Sequence, residues 1–457
     1  MEVPVKRCLA SVLFLVLVQG CHLTFATFES SGIDAGQFDA HTSDADTGPG
    51  TDSGRPDSGP DAGRPGDGGP EDAGSRCPTD CDDGDPCTTD TCGSDSRCSN
   101  DLDPLCPTDV LAAGPGRTDT PGGHSCVLHI NGEVSCWGNN SYGQLGNGSA
   151  TVTHLTPTRV SSLPDATAIR SFSYHTCAKR RSGRLSCWGL NSFGELGDGT
   201  ETDRNTPATV MSISVASDFD AGTGHTCAVE PAGTVRCWGY NLNGQLGDGS
   251  MSNRSRPVLV AGLSGAVEQV ATGDHHTCAL LTSGQVECWG LNNRGQLGTG
   301  STAPASSPSP LPVSGLVNAV ELAAGQNHTC ARTSGGTVRC WGEIMPLSLS
   351  PRLIPMTGEA ASISAGSNHT CARLTSGGVR CWGNNSSGQL GDGTTTSRPN
   401  PVEATGVTDT IAISAGGTHT CALRASREVS CWGYNADGQL GDGTTTQRPV
   451  PTAVTVL

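Results

Sequence analysis

The stretch HTCALLTSGQVECWG, residues 276–290, alternates its side chains on both sides of a central serine. Counting by twos places His276, Cys278 and Leu280 on one face with Val286 and Cys288, and Thr277 and Ala279 on the other with Trp289. Two strands folding back around Ser283 are predicted, with apolar groups on both faces. A sheet of that kind must be covered on each side. The pattern recurs: CWG places Trp137, Trp188, Trp238, Trp289, Trp341, Trp382 and Trp432, all seven tryptophans of the chain, at one repeat position. A residue used once per unit at one place reads as architecture, so these tryptophans are expected to form the repeat's core.

The cysteines set the period and the register. Cys136, Cys187, Cys237, Cys288, Cys340, Cys381 and Cys431 precede those tryptophans, and ten residues before each lies Cys126, Cys177, Cys227, Cys278, Cys330, Cys371 or Cys421. If Cys278 faces Cys288, the loop is Thr282-Ser283-Gly284, with glycine third, where a left-handed bulge position favours it. Gly132, Gly183, Gly233, Gly336 and Gly377 fall on that position, and Arg427 departs from it. The cysteines then form a non-hydrogen-bonded pair, close enough for seven cross-strand disulfides, each contributing very roughly 2 to 3 kcal/mol. Segments such as AISAG, a glycine turn and a proline-bearing run supply two further strands per unit. Four short strands in about 50 residues, seven times over, predict an all-β, seven-bladed β-propeller over residues 107–457, with an open solenoid of the same units as the alternative.

The repeat GxxHTCAL followed by SGxVxCWGxNxxGQLGDGT resembles that of the regulator of chromosome condensation family, including a bacterial secreted branch with paired cysteines. The resemblance implies a propeller and protein partners, since relatives act as exchange factors for a small GTPase or as β-lactamase inhibitors. Unit five departs: after Trp341 the chain reads GEIMPLSLSPRLIP, without the turn that the other units carry near Gly146, Gly197, Gly247, Gly298, Gly391 and Gly441. Each blade can be built from one unit, so the usual latch of a strand shared between the chain's ends is not required by the sequence, and ring closure needs another source.

The N-terminal third has a different character. Lys6 and Arg7 precede a short apolar run, Leu9 to Val18, which reads as a signal peptide over residues 1–20 and is too short to span a membrane. Val18-Gln19-Gly20-Cys21 resembles a lipobox, implying lipidation at Cys21; an ordinary signal peptide cut nearby is the alternative. Residues 21–76 are Gly, Asp, Ser, Pro and Ala with little to bury, a disordered tether reaching about 40 Å. Residues 77–106 hold six cysteines, expected as three disulfides in any of 15 connectivities; their CDDGDPCTTDTC core resembles Cys-rich repeats of myxobacterial and slime-mould surface proteins. The acidic run Asp80, Asp82, Asp83, Asp85 lacks calcium-loop spacing and reads as a solvated turn.

Charge and composition narrow the function. Residues 1–106 carry 20 acidic and 6 basic side chains, net −14; the chain's 44 and 27 leave 24 and 21, net −3, for the rest. No basic stripe remains to attract nucleic acid. Glycine, 63 of 457 residues, is the compositional anomaly and fits the turn density of the repeats. His124, His175, His225, His276, His328, His369 and His419 recur once per unit, too far apart to share a zinc ion, and are expected to hydrogen-bond the neighbouring turn. Asp198, Asp248, Asp392 and Asp442 read as turn residues. Beyond the signal the one lysine is Lys179, and neither G-x-S-x-G nor H-E-x-x-H occurs. The sequence therefore predicts no enzyme, cofactor or metal. It predicts a monomeric, exported lipoprotein of the outer membrane or cell surface, or a secreted protein, binding an extracellular or envelope protein or a glycan. An enzyme with a site in the funnel, or an inhibitor of a secreted enzyme, is the alternative. Specificity is expected in the variable stretches from Thr200 to Pro207 and Gly300 to Pro312.

Overall fold

The computed structural model describes residues 88–92, 98–102, 110–114, 123–150 and 153–455. The signal peptide, Cys21, the tether and much of the Cys-rich segment lie outside the described residues. Within that segment, Thr88–Cys92 and Cys98–Leu102 pair antiparallel with Cys92 opposite Cys98. From Val110 onward there are seven four-stranded antiparallel sheets, each formed by four consecutive strands. Blade four shows the plan: Val267–Thr272, His276–Leu281, Val286–Leu291 and Ser306–Pro312 lie side by side in chain order. First strands of successive blades adjoin, and the last blade's adjoins the first's, so the sheets close into a seven-bladed β-propeller.

The central hairpin has the register that the cysteines imply. Cys278 stands opposite Cys288 and Thr277 opposite Trp289. All seven pairs are bridged, with Cα atoms 4.0 or 4.1 Å apart. Leu281 N donates to Gln285 O, Gly284 N donates to Leu281 O, and Gly284 has a φ of +78°. Arg427 adopts the same left-handed conformation, φ +67°, without glycine's freedom. Outer strands pair through a bulge and carry prolines such as Pro257 and Pro449, which leaves the rim a poor template for further strands.

The core lies between blades. Each apolar layer joins the disulfide face of one blade to the tryptophan of the next: Cys126, Leu128, Val134 and Leu145 of blade one pack with Ile169, Ala178 and Trp188 of blade two. The last layer sets Cys421, Leu423 and Leu440 of blade seven against Val127 and Trp137 of blade one. Small Ala178 and Thr176 leave space for the indole beside them. Near the axis, side chains satisfy backbone amides across blades. Asp218 and Asp220 accept from the amides of Val270 and Thr272, Gln269 from Leu322, Glu321 from Ile363 and Ser364 from Ala415. Burial pushes the carboxyls of Asp218 and Glu321 up, and that of Asp220 up to about 6, against the pull of nearby arginines and these amides.

Candidate functional site

Each hairpin's histidine begins its strand opposite the glycine of CWG, His276 opposite Gly290. The first-to-second-strand turns and the long loops after CWG therefore share one end of the propeller, the loop face. Beneath it a repeated polar circuit fixes the blades. His124 Nε2 meets Thr176 Oγ1 at 2.7 Å, and the same link joins His175 to Thr226, His225 to Thr277, His276 to Thr329, His328 to Thr370 and His369 to Thr420. His419 reaches Ser125 at 2.8 Å, which closes the circle without a shared strand. The expectation that each imidazole would bond its neighbouring turn is corrected here. The ring packs on that turn, as a Cβ at Gly273 would stand 2.2 Å from His276 Cε1, but its hydrogen bond goes to the following blade.

At six of the seven junctions the hydroxyl that meets the histidine also donates to a backbone carbonyl in the preceding blade's glycine turn. Thr277 Oγ1 donates to Gln245 O at 2.9 Å, and Trp289 Nε1 donates to that same oxygen at 2.9 Å. Six junctions repeat this, with acceptors Gln144, Glu195, Gln245, Gln296, Gln389 and Gln439. A hydroxyl that gives its one proton to the carbonyl must accept from the histidine, so Nε2 carries the imidazole proton. Burial lowers the histidine pKa values to about 3 for His124, His276 and His369, to about 4 for His175, His328 and His419, and well below the usual range for His225. Neutral, single-tautomer rings of this kind are structural links. Among the described residues no group of three or more His, Cys, Asp or Glu is arranged to hold a metal ion.

The loops themselves are held from within. Asn241 Oδ1 accepts from Leu246 N, and its Nδ2 group reaches Asp248 Oδ1 and the carbonyls of Ser250 and Ser252. Asp248 in turn accepts from the Ser250 amide and hydroxyl and pairs with Arg254 at 3.1 Å. Asp198, Asp392 and Asp442 are bound in the same way. Partial burial raises their carboxyl pKa values, but these hydrogen bonds and the arginines outweigh it and hold them below the ordinary range. Glu195 alone replaces the turn's glutamine. It is fully buried, which pushes its carboxyl up to about 8 against the Phe193 amide that it accepts, and its Oε1 has no partner.

On this rigid base the loop face collects aromatic side chains that the sequence scatters over different repeat positions. Tyr142 packs edge-on against Tyr174 at 5.3 Å, Phe193 against Tyr240 at 4.9 Å, and Tyr240 against His275 at 5.5 Å. Tyr142 and Phe193 are 38% and 37% exposed, and Tyr174, Tyr240 and His275 are half-buried. All four tyrosines of the chain lie in these loops, Tyr434 at the position in blade seven that Tyr240 holds in blade three. Gly224 makes room for the central pair, since a Cβ there would stand 3.3 Å from Tyr240 and 3.4 Å from Phe193. The sequence reading missed this arc. A clue was available in the confinement of tyrosine to residues next to the repeat motif. The two stretches singled out for specificity are only partly loop: Arg204–Thr209 and Ser306–Pro312 are outer strands, leaving 200–203 and 300–305 on the loop face.

These features define a disulfide-stitched propeller whose repeats carry architecture and whose loops carry variation. A family model described as the RCC1-like domain matches residues 123–349 and 215–457, and the chain belongs to that family. Among similar proteins, the ultraviolet-B receptor UVR8 of Arabidopsis thaliana is 31% identical over 224 residues, 48% of this chain and 51% of that protein. A protein named as a probable E3 ubiquitin-protein ligase, HERC4 of Rattus norvegicus, is 32% identical over 191 residues, 40% of this chain and 18% of the ligase. The chain thus spans about half of the first relative's length and under a fifth of the second's. Yeast RCC1 (Prp20), in a crystal structure with Kap60, superposes with a TM-score of 0.63 at 21% identity, covering 75% of this chain and 85% of that one, and shares the fold. The disulfides are consistent with an extracellular setting, and among the described residues no helix is long and apolar enough to cross a membrane.

Proposed function

We propose that the chain is a non-enzymatic, monomeric binding protein displayed outside the cell, which presents the aromatic arc of its loop face to an extracellular or envelope protein. One observation carries this reading: Tyr142, Tyr174, Phe193, Tyr240 and His275 form a partly exposed band on loops locked by internal hydrogen bonds. Rigid, half-buried aromatics lose little side-chain entropy on binding and are enriched at the energetic centres of protein interfaces. Lipid attachment at Cys21 would fix the chain to a membrane of a bacterial envelope, residues 21–76 would act as the tether, and residues 77–106 as a disulfide-rich spacer before the propeller at 107–457.

The test uses the full-length chain as bait for envelope proteins. A stoichiometric protein partner is expected, and Phe193→Ala with Tyr240→Ala should weaken its capture by about 30-fold or more, the effect of losing one strong interface anchor of roughly 2 kcal/mol. The thermal midpoint should stay nearly unchanged. Turnover of a polysaccharide substrate, or capture that is indifferent to both substitutions, would overturn this reading. Palmitate labelling of the wild type and not of Cys21→Ser tests the anchor separately.

A further inference from the structure

The junction between blades five and six lacks the glycine turn. The asparagine that organises the other loops is replaced by Ile344, and three hydrogen-bonding positions of blade six go without the group that serves them elsewhere. Trp382 Nε1 is buried, in a residue 3% exposed, and has no partner. Thr370 Oγ1 meets His328 and the Cys330 sulfur but no carbonyl. At the six other junctions the last turn glycine also donates its amide to the next blade's outer strand, as Gly393 does to Pro449 O at 3.0 Å; Pro399 O, the corresponding carbonyl, receives no such amide. Trp382, Thr370 and Pro399 line one open cleft together with Glu343, Met345 and Arg352, whose Nε is likewise unpartnered.

We propose that this cleft binds a glycine-bearing reverse turn of a partner polypeptide, which supplies the carbonyl missing at Trp382 and Thr370 and the amide missing at Pro399. The six complete junctions define the ligand. There one short turn presents a carbonyl and, four residues on, an amide: Gln389 O and Gly393 N serve the junction between blades six and seven. The residue over the indole must be glycine, because a Cβ at Gly391 would stand 2.7 Å from Trp432 Nε1, and at Gly146 2.6 Å from Trp188 Nε1. A buried indole N–H without an acceptor is costly, so a turn that reaches it gains more than an exposed hydrogen bond would give. The inference rests on the reading of the chain as a protein-binding module and adds a second contact, away from the aromatic arc.

The probe is a cyclised peptide carrying this chain's own turn, NADGQLGDGT from residues 435–444, added to full-length protein with ¹⁵N-labelled indoles. The peptide should move one indole N–H resonance saturably, the one absent from Trp382→Phe. A peptide with alanine at the glycine over the indole should bind at least tenfold more weakly, equivalent to about 1.4 kcal/mol. Should Trp382→Phe fail to fold, a variant with the turn of blade six grafted after Trp341 makes the assignment: its Trp382 resonance should already sit at the bound position and ignore the peptide. No movement of that resonance, or equal response to both peptides, would overturn the proposal and leave solvent as the indole's partner. Partner capture lost in the Phe193 and Tyr240 variants with the peptide response intact supports this site. Capture intact with no peptide response overturns it alone.

Discussion

Six junctions of this propeller and the seventh use the same tryptophan, histidine and hydroxyl, but only six contain the carbonyl on which they converge. At the junction between blades four and five, Gln296 O accepts from both Thr329 and Trp341. At the next, the histidine link persists at 2.8 Å while the indole is left without an acceptor. The difference separates two functions of the repeat. Apolar burial, the histidine–hydroxyl link and the axial contacts such as Glu321 to the Ile363 amide hold the blades together, because blade six keeps its place without the glycine turn. The glycine turn completes the polar accounting and covers the loop end, and where it is shortened the ring gains a site and a notch.

The largest test strikes complete and incomplete junctions alike. Neutral buried histidines stay unprotonated in the fold while the unfolded chain takes up protons, so stability falls as pH drops from about 6.5 to between 4 and 3. For the six rings held at about 3 or about 4 the upper limit is on the order of 25 kcal/mol, and His225 adds in the same direction. Thermal melts by circular dichroism at pH 7, 5.5 and 4 should show a steep decline below 6.5, and a flat profile would contradict the circuit. Glu195 has the opposite sign, since its raised pKa makes it stabilising at low pH and costly as pH climbs from about 4.5 to 8. Glu195→Gln converts its junction to the common form, with an expected gain of about 3 kcal/mol at pH 7 that vanishes near pH 4.5.

Third in size is a matched pair. Trp289→Phe removes an indole bond to Gln245 O as well as volume and should cost about 2 kcal/mol more than Trp382→Phe, which removes a donor that has no partner. Equal losses by denaturant titration would mean that Trp382 is already satisfied. The smallest effect concerns the hairpin tips: Arg427→Gly should stabilise by about 0.5 to 1 kcal/mol by relieving a positive φ, as glycine already does at Gly284.

Much of this was legible in the chain because it is local. The disulfide register, the left-handed third loop residue and the shortened unit after Trp341 all lie within spans shorter than one repeat, and each follows from alternation, spacing or glycine chemistry. What was not legible crosses the blades. The partner of His276 is Thr329, 53 residues away, and no pattern within one unit distinguishes that hydroxyl from the adjacent turn. The aromatic arc was hidden for a related reason: Tyr142, Tyr174, Phe193 and Tyr240 occupy three different repeat positions, and only the closing of the ring brings them to one surface.

Ser125 receives His419 and donates to Gln439 O, and Trp137 donates to the same oxygen, so the final repeat supplies what the first one needs. As the chain is made, the opening blade would wait, with its hydroxyl and indole unanswered, until the last fifty residues had emerged. Cutting away that terminal repeat alone would therefore injure two blades at once, the one removed and the one synthesised first.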